Sequence, residues 1–297
     1  MSKRMIAGFA AIAMCGLGTG VAQAATGSIG GFETSAPESW GINDPNCQPT
    51  GDVKEPVVLI HGTSDNATTW SELVPVLKDQ GMCVWAFDYG ADDVTLQNAI
   101  PSLKAIGDLD KSAEEVAAEI DYVREVTGSD RVNLVGHSQG GAHTKTYQQV
   151  YGTPEAVARV VAIGGNFHGT TLNGSLGGLL PIITNAPGLA AFLASTAAIQ
   201  QVQGAEFMQR LNALPDTVAG TMYTSIYSPA DVTVTPNSAS ELTAVPGADV
   251  VNLDLGEVCG VQPQHPQLPK AKEAIAEIVW GLTRGEGEQP GAGSCAV

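Results

Sequence analysis

Val57-Val58-Leu59-Ile60 form an unbroken apolar run between Pro56 and His61-Gly62. A strand with one face in water alternates polar and apolar side chains. A run without alternation reads as a strand covered on both faces, which is the situation of a parallel sheet wrapped by helices. Further strands are expected at Cys83 to Phe87, Arg131 to Val135, Val157 to Ile163, Thr224 to Tyr227 and Ala248 to Leu253. Helical stretches separate them: Trp70 to Gln80, Ser112 to Thr127, Gly140 to Val150, and Pro269 to Leu282. In the second of these, Ser112 and Glu115 read as a capping box, Val116, Ile120, Val123 and Thr127 recur at helical spacing, and Gly128 stops the helix. This alternation predicts an α/β fold with one mostly parallel sheet and helices on both faces. Residues 25–52 read as an irregular N-terminal strap. The Gly- and Ala-rich stretch of about residues 172–214 breaks the alternation and reads as a lid or pocket wall, or as an ordinary helical excursion.

Gly136-His137-Ser138-Gln139-Gly140 follows one of these strands and opens a helix. A serine at such a sharp turn projects its hydroxyl from strained backbone, and the glycines let strand and helix crowd together. The helix N-terminus favours negative charge beside a reacting carbonyl. A serine hydroxyl is a poor nucleophile near neutral pH, so Ser138 needs a base and the base an orienting acid. Two histidines follow Ser138 in the chain, His168 and His265. His168 comes directly after a strand, too early for a base in the order serine, acid, histidine. His265 precedes the final helix, where that order places the base. For the acid, Asp231 follows the strand ending at Tyr227 and is preferred to Asp254, which stands too near His265 in the chain. The oxyanion formed by attack on an ester needs preset N–H donors. The expected donors are the backbone N–H groups of Gln139 and of Thr63, with the Thr63 hydroxyl as a third. His61 reads as a prop for that loop.

The first 24 residues read as a signal peptide: Lys3 and Arg4, the apolar Met5 to Leu17, then Ala22-Gln23-Ala24 as a cleavage site. An uncleaved anchor is the alternative. Removing the segment leaves 12 basic against 31 acidic residues, a net charge of −19. That balance argues against nucleic acid and against anionic lipid surfaces as partners. It suits a soluble monomer that is secreted to the medium or cell envelope with no stable membrane anchor. Residues 25–297 are read as one domain. Four cysteines remain, Cys47, Cys83, Cys259 and Cys295; an even number in an exported chain reads as two disulfides, with three pairings open. Their spacing lacks the short clips of a zinc site, so no metal is expected.

Taken together, Pro56 to Thr63, the turn at Ser138, Asn166-Phe167-His168-Gly169-Thr170-Thr171 and Tyr227-Ser228-Pro229-Ala230-Asp231 resemble the secreted bacterial class 2 triacylglycerol lipases and esterases. These belong to the α/β-hydrolase superfamily, and the layout is also similar to fungal lipase B. The resemblance runs from about Cys47 to the C-terminus. It implies an α/β-hydrolase fold with a lid-like insertion, Ser138, Asp231 and His265 as a triad, and Thr63 and Gln139 as oxyanion donors. It further implies the pairs Cys47–Cys83 and Cys259–Cys295, a lipid or other carboxylic ester as substrate, and no cofactor. Gln139 stands where many bacterial relatives carry Met, and Leu172 to Leu214 matches no motif. Short-chain esterase, polyesterase and acyltransferase chemistry use the same triad. A binding protein on an inactive scaffold is the non-enzymatic alternative.

Overall fold

The computed structural model describes residues 27–91, 96–174, 183 and 185–296. The expected signal peptide and part of the 172–214 insertion lie outside them. Eight strands are described: β1 Gly27–Ile29, β2 Phe32–Thr34, β3 Val57–Ile60, β4 Val84–Ala86, β5 Val132–His137, β6 Val157–Ile163, β7 Met222–Tyr227 and β8 Asp249–Asp254. The last six form one sheet in the order β4-β3-β5-β6-β7-β8, and every neighbouring pair in it is parallel. β1 and β2 pair antiparallel in a small hairpin. That pairing departs from the irregular strap expected over residues 25–52, while beyond Thr34 the strap carries only a 3-10 turn, Glu38–Trp40, before β3.

Alternate residues of one strand feed different cores. Val57 and Leu59 join a cluster with Leu73, Val74 and Leu77 of α1 (Leu73–Asp79) and with Ala274, Ile275, Ile278 and Leu282 of α8 (Lys272–Thr283). Val58 and Ile60 join a second cluster with Val116, Ala117, Ile120 and Val123 of α2 (Leu109–Thr127). All four strand residues are buried, which is why the run carries no polar side chain. Full burial of each such side chain stabilises the fold by about 1.5–3 kcal/mol, so the uninterrupted run anchors the centre of the sheet. Among the described residues no helix is long and apolar enough to cross a membrane.

The helix boundaries differ from expectation in instructive ways. The expected capping box at Ser112 and Glu115 is not formed. α2 starts one turn earlier, capped by the Asp108 side chain, which accepts from the N–H groups of Asp110 and Lys111. Ser112 is buried inside the helix, and Glu115 accepts instead from the N–H of Gly90. At the other end Gly128 closes the helix with φ of 65°, as expected. The stretch from Trp70 splits into a 3-10 turn, Ala67–Ser71, and α1. The final stretch opens with a 3-10 turn, His265–Lys270, because Pro266 and Pro269 remove two backbone donors before α8 begins. Helix α3 (Gln139–Thr146) follows β5 and widens into a π turn at Tyr147–Tyr151. The described part of the insertion is helical: α4 Pro187–Ala194, α5 Thr196–Gln200 and α6 Glu206–Asn212, followed after β8 by the short α7 Leu255–Val258.

Disulfides join Cys47 to Cys83 and Cys259 to Cys295, the neighbour pairing, each across 36 residues. The first ties the N-terminal strap to the residue before edge strand β4. A loop of that length removes roughly 2–4 kcal/mol of chain entropy from the unfolded state. The double variant Cys47→Ser/Cys83→Ser is therefore expected to lose about 2–4 kcal/mol of unfolding free energy in urea titration. A loss under about 1 kcal/mol would show that the strap is held by other contacts.

Candidate active site

Ser138 stands between β5 and α3 with φ of 55° and ψ of −119°, a backbone conformation costly for any residue with a side chain. Neighbouring contacts hold it there. Its N–H donates to Ile163 O at 3.1 Å, and its carbonyl accepts from the N–H groups of Gly141 at 3.0 Å and Asn166 at 3.1 Å. Gly140 is required by close approach: a Cβ there would lie 2.1 Å from the carbonyl oxygen of Ile60. Rigid backbone on both sides means that no side chain can be accommodated at that position.

His265 is the first residue of its 3-10 turn, and its Nδ1 lies 2.6 Å from Asp231 Oδ2. The carboxylate accepts, so Nδ1 carries a hydrogen, which leaves Nε2 as the nitrogen that acts as a base when the ring is neutral. Asp231 is fixed in turn: its Oδ1 accepts from the N–H groups of Thr233 at 2.8 Å and Val234 at 3.0 Å. Ser138, Asp231 and His265 are 7, 3 and 6% exposed, so the group is withdrawn from bulk water while Ser138 and His265 border the same cavity. Gly164, at φ of 53°, leaves room for the imidazole; a Cβ there would come within 3.1 Å of His265 Nδ1. Asp254, the other carboxylate weighed, instead caps α7 by accepting from Gly256 and Glu257. His168 lies elsewhere, between Asn212 Oδ1 and the Glu241 carbonyl, each 3.0 Å away.

The cavity measures about 290 Å³ and is lined by, among others, Thr63, Asn166, Leu172, Ala198, Gln201 and Val234. The helical insertion thus supplies part of the pocket wall. Thr63 lies on the loop after β3. Its Oγ1 accepts from Gln201 Nε2 at 2.7 Å, and Gln201 also takes the Asn166 amide, which donates to its backbone carbonyl at 3.2 Å. A chain of side chains therefore runs from beside Ser138 to Thr63. Among the described residues the backbone N–H groups of Thr63 and Gln139 and the Thr63 hydroxyl donate to no protein acceptor. The structure thus brings Ser138, Asp231, His265, Thr63 and Gln139 into one locality. Gln201 was not singled out from sequence, since it sits in the stretch that matches no motif; Asn166 entered only as part of the resembling segment Asn166 to Thr171, with no role given to its side chain.

Behind the Thr63 loop lies a buried polar group that composition alone does not reveal. Tyr89 stacks on His61 with ring centroids 4.5 Å apart and meets His143 edge-on at 5.3 Å. Its hydroxyl donates to the His61 carbonyl at 2.7 Å, with Gln139 Oε1 also 3.3 Å away. His61 thus props the loop through stacking and through its own carbonyl. Burial drives the ionisations: it lowers the pKa of His61, depresses that of His143 from 6.5 to about 3, and pushes the Tyr89 and Glu119 groups well up. Among the described residues one cluster has its ligating atoms close enough for a metal, Cys259, Glu277 and Cys295, and its sulfurs are joined in the disulfide.

With this geometry in hand, the likenesses to known proteins fall into place. A family profile described as the alpha/beta hydrolase fold matches residues 55–181. A triacylglycerol lipase of Vibrio cholerae is 30% identical over 82 residues, 28% of this chain and 26% of that protein. One from Pseudomonas fragi is 32% identical over 73 residues, 25% of this chain and 24% of that protein. The matches span about a quarter of those relatives' lengths. Among solved structures, Aspergillus fumigatus lipase B superposes with a TM-score of 0.60 at 23% identity, covering 79% of this chain and 54% of that one. Bacillus licheniformis lipase BlEst2 gives 0.54 at 16% identity, covering 82% and 95%. The chain has the α/β-hydrolase fold, and its resemblance to the lipase and esterase hydrolases rests on these relatives together.

The His143 environment generates a pH prediction. The unfolded chain binds a proton below pH 6.5 that the folded chain refuses until about pH 3. This contribution to stability is whole above pH 6.5 and is lost as pH falls toward 3. His143→Leu is expected to flatten the acid limb of unfolding free energy by up to about 1.4 kcal/mol per pH unit in that window. Urea titrations across the window check it; an unchanged slope would place the acid sensitivity elsewhere.

Proposed function

We propose that this chain, an α/β-hydrolase by fold, is a secreted serine hydrolase that cleaves carboxylic esters of lipids through an acyl-enzyme. One observation carries the reading: Ser138 on its strained turn and His265 held by Asp231 open onto the same cavity. In this reading the bare Nε2 of His265 takes the proton of the Ser138 hydroxyl as Oγ attacks the ester carbon. The oxyanion is met by the N–H groups of Thr63 and Gln139 and by the Thr63 hydroxyl. Gln201, by donating to Thr63 Oγ1, turns that hydroxyl's own proton away from itself. Collapse breaks the bond to the alcohol, which leaves with the proton from His265. Water then repeats the cycle on the acyl-enzyme, releasing the acid and restoring Ser138. No metal or organic cofactor takes part in these steps.

The surface supports an apolar substrate. Leu96 and Ile100 in one segment and Leu189, Phe192 and Leu193 of α4 are exposed. Gln97 links the two, accepting from the Ser64 hydroxyl beside the cavity and donating to Ala194 O, each at 2.7 Å. Two lipase-named relatives and two disulfides support lipid esters and secretion respectively. The second reading is a short-chain esterase, favoured by a cavity near the lower end of the range for small-molecule pockets.

Hydrolysis of p-nitrophenyl butyrate and palmitate, with Ser138→Ala as blank, tests both readings. Palmitate cleavage lost in the variant supports the lipase, and butyrate cleavage alone supports the esterase. Cleavage that survives Ser138→Ala rejects the mechanism. Thr63→Val, which keeps shape but removes the hydroxyl, should lower kcat roughly 100-fold with KM little changed. A fall confined to KM would instead make Thr63 a substrate-binding group.

A further inference from the structure

The residue before Ser138 has a role that none of the chemistry above assigns. His137 ends β5, is 4% exposed, and lies among the residues around the cavity. Its Nε2 stands 3.2 Å from the backbone carbonyl oxygen of His265. A carbonyl only accepts, so Nε2 carries the hydrogen and Nδ1 is bare. That Nδ1 is buried without a partner among the described residues. It faces Gly62 of the Thr63 loop so closely that a Cβ there would come within 3.1 Å of it. The two imidazole rings, His137 and His265, pack with centroids 4.8 Å apart and planes tilted by 34°.

Resting on the reading of His265 as base, we infer that His137 is its positioning residue. Its Nε2–H ties the loop of His265 to the strand that carries Ser138, and its bare, enclosed Nδ1 keeps its own ring neutral beside that base. The first part is mechanical. Ser138 is bonded directly to His137, so one side chain sets the spacing between the hydroxyl and the backbone of the group that deprotonates it. Misplacement by a fraction of an ångström is costly in such a step. The second part is electrostatic. During attack His265 becomes an imidazolium, and the imidazole beside it is an alternative home for the proton. His137 does not accept it, because a hydrogen on Nδ1 would have no acceptor. Burial holds its pKa well below the ordinary value, and the ammonium of Lys270 together with the imidazolium that forms at His265 during attack lowers it further. The positive charge therefore stays on His265, against Asp231.

The test compares His137→Leu with His137→Gln on p-nitrophenyl butyrate, alongside Ser138→Ala. The leucine variant is expected to lose roughly tenfold in kcat with KM within about twofold. The glutamine variant, whose amide N–H reaches the same carbonyl, should recover most of that loss. Unfolding midpoints of both report that they are folded. A leucine variant with undiminished kcat overturns the inference, as does an equal fall in both folded variants. Should the leucine variant not fold, NMR of the ring nitrogens in the unmodified protein decides. His137 neutral with hydrogen on Nε2 at neutral pH supports the inference; hydrogen on Nδ1, or a charged ring, overturns it. Turnover that depends on Ser138 but ignores His137 rejects this inference alone. Turnover that survives Ser138→Ala rejects the functional reading beneath it.

Discussion

The rest of the site depends on the contact between α3 and the end of β3. Gly140 packs so tightly against the Ile60 carbonyl that a single added carbon would overlap it. This approach brings the start of α3 to the loop after β3, so the N–H of Gln139 and the loop carrying Thr63 share one locality. It also forces the bend that leaves Ser138 at positive φ. Strain of this kind costs about 1–3 kcal/mol and persists only where surrounding structure over-determines it. Here the hydrogen bond that Ser138 donates to Ile163 and those it accepts from Gly141 and Asn166 do so, and the parallel sheet supplies the rigid frame.

Burial organises the ionisable groups around that frame. Asp231 and His265 sit inside the protein as a bonded pair, with the second carboxylate oxygen satisfied by backbone. The imidazoles of His61, His137 and His143 are also buried, yet each is held toward neutrality by desolvation. Of these four buried histidines His265 alone has a carboxylate partner, so in the proposed mechanism it is the one to carry the proton. A buried cation without a partner is too costly for any of the other three to compete.

Strand β3 has the bounds that its apolar run implies, because burial on both faces is written into every residue of it; β6 also has the expected bounds, although Ala158 and Arg159 near its start are only partly buried. Triad candidates were legible for a similar reason: chain order along a parallel sheet ranks the loops at its carboxyl edge. The start of α2 was misread because Ser112 and Glu115 form a valid local pattern while Asp108, one turn earlier, forms the stronger one with its neighbours. Local patterns compete, and the sequence does not rank them. The links from Gln201 to Thr63 and from His137 to His265 span 138 and 128 residues. Nothing in the local composition of either residue foretells the contact; only the folded sheet creates it.

The all-parallel order of the sheet also sets a timetable. Every neighbouring pair is parallel, so no two strands of the sheet can meet as a simple hairpin, and pairing waits on distant chain. The cavity borders the loop at residues 62–65, the turn at Ser138, the insertion near Gln201 and, last of all, His265 and Pro266. No fragment emerging from synthesis holds the complete set until the chain has been made as far as Pro266. Whatever chemistry the pocket performs is therefore withheld from the nascent chain, and begins only in a molecule that has finished folding.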